Sequence, residues 1–350
     1  MSIAISIFII FMATSVLCFL ENRLYEKDKK LLYVLIAIIL ILLAGFREVG
    51  VDPDSPNYEY AFHHYDDIRL WTSMEPSFFL LSAVFSFFSS DVHSIFLFYA
   101  FCGVVLKFIA FRRLTLFWFL PIIVYISFIY ELHELTQIRT GLMSGLFLLT
   151  IPYIAEKKRI KAIILIIIGA IFHMSALALL PFVFFSNKEM SVKNRIIWIT
   201  IIPLSYVIYF IGNNFLVNIP IAYVENKITN YEKTSDIVEA GLNVFSPLQI
   251  FTIFIYLYLM YFYDTIKKHN KYFPLMMKIF TLSIASFSAF AFLPVMANRL
   301  SYLFRIVTII LFTYIYYTIK PRYVGILVVI FISIVYIFYT YSYIFGIKLF

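Results

Sequence analysis

The chain has 350 residues, of which 63% are hydrophobic and only 14% are charged. A soluble domain is typically about half apolar and about a quarter charged, so this composition excludes a water-soluble enzyme and a disordered tail. The formal net charge is +8. In a membrane protein, excess Lys and Arg mark cytoplasmic loops more often than a nucleic-acid site, and we expect no nucleic-acid partner.

Apolar runs follow one another along the whole chain. A bilayer core of about 30 Å needs a helix of roughly 20 apolar residues, so the sequence predicts roughly 10–13 transmembrane helices. We therefore expect an all-α polytopic integral membrane protein whose residues 1–350 form a single multi-pass membrane domain. The runs lie at 2–20, 31–46, 76–89, 94–111, 115–130, 140–155, 160–185, 196–212, 248–263, 276–293, 301–318 and 324–346.

Charge divides the connecting segments into two kinds. Most are basic, and we count Lys107 with the cluster at Arg112 and Arg113. Residues 47–75 instead hold two Arg, no Lys and seven acidic residues, and residues 213–247 hold two Lys and four acidic residues. The positive-inside rule therefore predicts that the basic clusters face the cytoplasm, whereas 47–75 and 213–247 are outward loops.

Two runs do not fit a simple alternation of crossings. If 76–89 spanned the membrane, Arg112 and Arg113 would lie on the side of the acidic 47–75 loop. We therefore predict a re-entrant or interfacial segment there, which is tolerated when it is buried in protein. Basic clusters flank 160–185 at both ends, which predicts two short tilted helices that turn near His173.

Four arginines lie at or just inside helix ends on the predicted outer face, against the orientation rule. Charge near the bilayer is costly unless it is paired or used, and Arg is suited to gripping phosphate with its planar fork. The pattern favours an anion site. The alternative is that each Arg snorkels to the interface or pairs with an acid such as Glu48 or Glu134. The four are Arg47, Arg139, Arg299 and Arg305.

Two residues are candidates for a catalytic base. His173 is the only histidine inside an apolar run, and an imidazole titrates in the range that a general base needs. It could equally be a hydrogen-bonded packing residue. Asp52, close to Arg47 in the outer loop, is the competing base. The histidines at 63 and 64 lack partners at zinc spacing, and the aspartates of the outer loop could bind a cation but are not spaced as in an EF-hand. We predict no metal and no cofactor.

Five motifs, taken in order, resemble the EpsG-type branch of the bacterial Wzy repeat-unit polymerases. Each motif is short, and their order and spacing over roughly residues 30–310 carry the resemblance. They are Arg47-x-x-Gly50-x-Asp52 followed by Tyr58, then Glu75-Pro76, Gln137-x-Arg139, His173-x-Ser175 and Asn298-Arg299-Leu300-Ser301-Tyr302.

The resemblance implies an O-antigen or exopolysaccharide polymerase of the bacterial inner membrane, with its active face in the periplasm. Its donor and acceptor would be oligosaccharides on undecaprenyl diphosphate, with membrane lipids and a chain-length regulator as further partners. His173 and Asp52 would be catalytic, and seven residues would bind substrate: Arg47, Tyr58, Glu75, Gln137, Arg139, Arg299 and Arg305.

Two other functions remain open. A flippase-like transporter of lipid-linked oligosaccharide would also have many helices, but it needs polar groups along a path through the membrane midplane. A membrane acyltransferase needs an embedded histidine with an acidic or amide partner, and the sequence around His173 supplies no obvious one.

Overall fold

The computed structural model describes residues 3–215 and 242–344, and its regular secondary structure over these ranges is entirely helical. The predicted all-α polytopic class is therefore confirmed. The 47–75 loop lies inside the described residues. Most of the predicted outward loop 213–247 lies outside them.

Proline fixes the start of many of the helices. It occupies the first turn of the helices that begin at Ser55, Pro76, Leu120, Pro247, Phe273 and Pro294, where its missing N–H would have no intrahelical partner in any case. The helices are α1 (Ile3–Leu20), α2 (Glu26–Gly45), α3 (Ser55–His63), α4 (Pro76–Phe88), α5 (His93–Leu114), α6 (Leu120–Val124), α7 (Ile138–Ala155), α8 (Arg159–Phe172), α9 (Val192–Phe215), α10 (Pro247–Tyr261), α11 (Tyr263–Ile266), α12 (Phe273–Ala289), α13 (Pro294–Arg305), α14 (Thr308–Leu311) and α15 (Arg322–Ile344).

Other helical types fill the remaining segments. Two π-helical segments continue α6, and a 3₁₀ helix of 11 residues follows α8. The π segments are Tyr125–Ile129 and Glu131–Thr136, and the 3₁₀ helices are Glu21–Arg23, Ile68–Thr72, Met174–Phe184 and Phe312–Tyr317.

Five of the described helices are long and apolar enough to cross a membrane, or six if α13 and the segment Thr308–Tyr317, which bend by 42°, are one span. Shorter apolar helices complete the bundle. α7 lies at its centre, with 78% of its spanning window buried, whereas α9 is peripheral, with 11% buried.

The basic clusters meet at one end of the bundle, which we call the basic end. There Glu21 accepts a hydrogen bond from the Trp118 amide at 3.1 Å, and Asn270 donates to the Leu114 carbonyl at 3.0 Å. The opposite end carries the 47–75 loop, and we call it the acidic end. At that end the His93 ring lies 2.9 Å from the Arg47 carbonyl oxygen.

The two predicted exceptions to alternation are both present. α4 is 13 residues long, about 20 Å, and both of its ends lie at the acidic end, since Glu75 precedes it and His93 follows it. α8 runs from the basic end to His173, and the 3₁₀ helix returns from there. With a rise of about 2 Å per residue, that helix covers about 22 Å, more than an α-helix with the same number of residues would.

Candidate active site

A single carboxylate joins three segments at the acidic end. Glu75 precedes α4, Arg139 lies in the first turn of α7, and His173 is the turn between α8 and the 3₁₀ helix. Glu75 Oε2 pairs with Arg139 Nη1, and Glu75 Oε1 lies 2.7 Å from His173 Nδ1. Oε1 also accepts the Met174 amide at 2.9 Å. We call Glu75, Arg139 and His173 the Glu75 cluster.

The ionisation of Glu75 determines which ring nitrogen of His173 carries the hydrogen. Burial alone would raise the pKa of Glu75, but the His173 hydrogen bond and the charge of Arg139 outweigh it and hold that pKa at about 2. An ionised carboxylate can only accept hydrogen bonds, so Nδ1 of His173 must carry its hydrogen. In the neutral ring Nε2 then keeps a lone pair that can accept a proton.

The cluster is partly open. The side chain of Glu75 is 10% exposed, and those of Arg139 and His173 are each 15% exposed. The Arg139 guanidinium lies 5.7 Å from the centre of the Tyr58 ring. Arg139 Nε and the hydroxyl of Tyr99 are buried and have no hydrogen-bond partner among the described residues. Unsatisfied buried donors are rare, and these two can serve a ligand.

Arg47 and Asp52 form a separate, enclosed pair. Arg47 Nε donates to Asp52 Oδ2 at 3.0 Å, and both side chains have 0% exposure. Asp52 Oδ1 accepts the backbone amides of Asp54 and Ser55 at 3.0 and 2.9 Å. Both carboxylate oxygens of Asp52 therefore accept hydrogen bonds from the loop itself, and the side chain lies away from any open surface. This geometry indicates a structural role for Asp52.

Asp54, which was not among the predicted site residues, lies near the arginines instead. Burial raises its pKa, as does the neighbouring charge of Asp52, while Arg139, Arg299 and Arg47 act in the opposite direction. Arg299 is exposed on α13, close enough to Asp54 for this effect. The signal available in the sequence was the repeated aspartate two residues after Asp52.

Arg305 lies elsewhere. It is six residues beyond Arg299 on α13, about 9 Å deeper, and is 3% exposed. Its Nη2 donates to Gln249 Oε1 at 3.3 Å and to Ser301 Oγ at 3.2 Å. The structure thus brings Arg139, Arg299 and Arg47 near Asp54, although Arg47 is already bound to Asp52, and it places Arg305 elsewhere. Gln137 is at the N-cap position of α7, two residues before Arg139, and its side chain makes no capping hydrogen bond.

A second buried ion pair lies deeper in the bundle. Lys107 Nζ donates to Glu134 Oε1 and to the Gly141 carbonyl, each at 2.5 Å, and both charged side chains have 0% exposure. The assignment of Lys107 to the basic cluster was wrong, because it lies about 7.5 Å along α5 from Arg112 and faces inward. Glu134 is likewise not the partner of an arginine.

Two glycines leave room for this pair where α5 and α7 approach each other closely. A Cβ added to Gly103 would collide with the Glu134 carboxylate, and one added to Gly141 would lie 2.8 Å from Glu134 Oε2. The π-helical segment Glu131–Thr136 carries Glu134 and His133, and His133 Nδ1 lies 3.0 Å from Ser144 Oγ. In the described part of the chain, no three His, Cys, Asp or Glu residues are grouped so as to hold a metal ion.

Comparison with known proteins agrees with the motif pattern. The EpsG family model matches residues 30–349, and this is the family of Wzy-like polymerases. The match indicates a membrane polymerase or glycosyltransferase-like role in polysaccharide biosynthesis. No curated protein and no solved structure matches the chain.

Proposed function

We propose, because this chain belongs to the EpsG family, that it is a glycosyltransferase that joins oligosaccharide repeat units carried on undecaprenyl diphosphate. The observation that carries the proposal is the Glu75 cluster, in which one carboxylate holds both a histidine and an arginine at a partly open surface. We place this surface at the periplasmic face of the bacterial inner membrane, since the 47–75 loop beside it lacks Lys.

The reaction needs a base and a cation, and the cluster supplies both. The acceptor sugar hydroxyl loses its proton to Nε2 of His173, and its oxygen bonds to the anomeric carbon of the donor. The bond from that carbon to the lipid diphosphate breaks, and the electron pair leaves with the diphosphate. Glu75 orients the histidine and stabilises the imidazolium that forms, as the carboxylate of a catalytic triad does.

Arg139 stabilises the charge that develops on the leaving diphosphate. It has the fork geometry that matches phosphate, and it stands in the first turn of α7, where the helix dipole adds positive potential. Arg299, close to Asp54 at the same end, adds a second cation. Preorganised charges aimed at a leaving group are among the largest contributions to catalysis.

A transporter is less well supported by the same residues. The charged pair of Lys107 with Glu134 has 0% exposure, and Lys107 Nζ is held by Glu134 Oε1 and the Gly141 carbonyl. Such a pair lines no path for a sugar headgroup.

Surface polysaccharide from a deletion strain tests the proposal. We expect the deletion to leave single-repeat material on a gel, and the wild-type gene to restore the ladder. His173→Ala should restore no ladder at wild-type protein level. Complete absence of surface material in the deletion strain would instead indicate a transporter, and a ladder of normal length would exclude the polymerase.

A further inference from the structure

An apolar groove lies between the 3₁₀ helix Met174–Phe184 and the helices α9, α12 and α13. Its volume is about 400 Å³. This size lies within the range of about 300–1,000 Å³ that is usual for sites of small molecules and cofactors. The groove is large enough to take part of a ligand and is separate from the Glu75 cluster.

The lining of the groove suits a hydrocarbon and not a sugar. None of the described lining residues is charged, and the hydroxyls are those of Ser205 and Ser286. Each of them donates to its own helix, Ser205 to the Ile202 carbonyl at 2.6 Å and Ser286 to the Ser283 carbonyl at 3.1 Å. A sugar placed here would lose its hydrogen bonds to water and gain none.

The groove is reached from the side of the bundle. One wall is α9, of whose spanning window only 11% is buried. Leu204 and Ile208 on this wall are 54% and 46% exposed. A hydrocarbon chain in the surrounding bilayer can therefore enter between α9 and the rest of the bundle without passing through water.

Two walls of the groove continue directly from charged residues at the acidic end. The 3₁₀ helix starts immediately after His173, and Ala178, about 10 Å further along it, lines the groove. On α13, Leu300 lines the groove and is the residue next to Arg299. A molecule with its anionic head at these residues would have its apolar tail directed along the groove.

We propose that this groove binds the polyprenyl chain of a lipid diphosphate whose headgroup lies at the Glu75 cluster. The proposal rests on the proposed function and adds the place of one of the two lipids. Two features favour this occupant over the acyl chain of a bulk phospholipid. Two of its walls, the 3₁₀ helix and α13, begin at the acidic end beside His173 and Arg299, and the cations Arg139 and Arg299 at that end match the high negative charge of a diphosphate.

Binding to the purified full-length protein in detergent tests the proposal. The probes are undecaprenyl diphosphate, undecaprenol and phosphatidylglycerol, measured by native mass spectrometry. Ala178→Phe and Ala289→Phe place an aromatic ring in the groove. Val34→Phe is the matched control, because Val34 is 53% exposed on α2, which does not line the groove.

We expect wild-type protein and Val34→Phe to bind undecaprenyl diphosphate equally and in preference to phosphatidylglycerol. Each groove variant should bind it at least about tenfold more weakly. Undecaprenol should bind more weakly than the diphosphate, since it lacks the charged head. Wild-type affinity in both groove variants, or equal competition by phosphatidylglycerol, would overturn the proposal.

A photocrosslinker keeps the test decisive if a groove variant fails to fold. A benzophenone amino acid at Ile208 should form an adduct with undecaprenyl diphosphate, whereas the same group at Val34 should not. Equal adducts at both positions would overturn the groove assignment. If the groove assignment fails while the wild-type gene still restores a ladder, the proposed function stands. Absence of polymerisation by the wild-type gene would remove the proposed function itself.

Discussion

Replacing Glu75 by Gln tests whether the carboxylate organises the cluster. Glu75 accepts hydrogen bonds from His173 Nδ1, from the Met174 amide and from Arg139 Nη1. The carbonyl oxygen of Gln can replace Oε1, but its NH₂ group then meets Arg139, donor against donor. Hydrogen bonds to charged groups contribute about 1.5–3 kcal/mol, so losing one should slow chain extension about 10- to 150-fold.

The assay is incorporation of labelled repeat units by membranes that contain matched amounts of each variant. Asp67→Asn is the control, because Asp67 pairs with an arginine of the same loop, Arg69, whose side chain is 89% exposed. It should extend chains at the wild-type rate. A rate for Glu75→Gln within twofold of wild type would refute the assignment of Glu75 as the residue that orients His173 and Arg139.

Further predictions concern other charged residues. Arg139→Lys keeps the charge but loses the fork, so we expect a shortened polysaccharide ladder without loss of thermal stability, whereas Arg69→Lys should give a full ladder. Arg47→Lys should lower the unfolding free energy by about 1–3 kcal/mol in a detergent melt, because its bonds are structural; an unchanged melt would contradict this. Lys107→Met leaves a buried carboxylate unpaired and should cost about 3–5 kcal/mol, and stability equal to wild type would show that the pair is dispensable. Since the pKa of Glu75 falls from 4.5 to about 2 on folding, the stability it adds is complete above about pH 5 and lost towards pH 2. The difference in melting temperature between wild type and Glu75→Gln should shrink over that range, and a constant difference would contradict the ionised state.

Much of the helical arrangement could be predicted from run length and charge. Residues 76–89 are too short to span and begin at Glu75-Pro76, and the structure has a 13-residue helix there with both ends at the acidic end. Basic residues on both sides of 160–185 required an even number of traverses, and α8 with the 3₁₀ helix supplies two. Both deductions use only the cost of burying charge and the thickness of a bilayer.

The pairing of side chains could not be predicted in the same way. Lys107 lies near a basic cluster in the sequence, but its direction depends on where α7 approaches α5, which the apolar pattern does not specify. Asp52 and Asp54 are two residues apart in an irregular loop, so only the backbone path decides which one is enclosed. Arg305 and Arg299 lie six residues apart on one short helix, yet Arg305 is enclosed and Arg299 is exposed.

Arg47 ties three stretches of chain into one rigid corner. Its Nη1 donates to the Ala44 carbonyl at the end of α2, its Nε holds Asp52 in the loop, and its carbonyl oxygen meets His93 at the start of α5. A loop fastened in this way cannot swing aside as a flap without breaking an enclosed ion pair. For the lipid-linked substrate proposed above, we therefore expect arrival by two-dimensional diffusion within the membrane plane, at a rate that depends on bilayer fluidity more than on movement of this part of the loop.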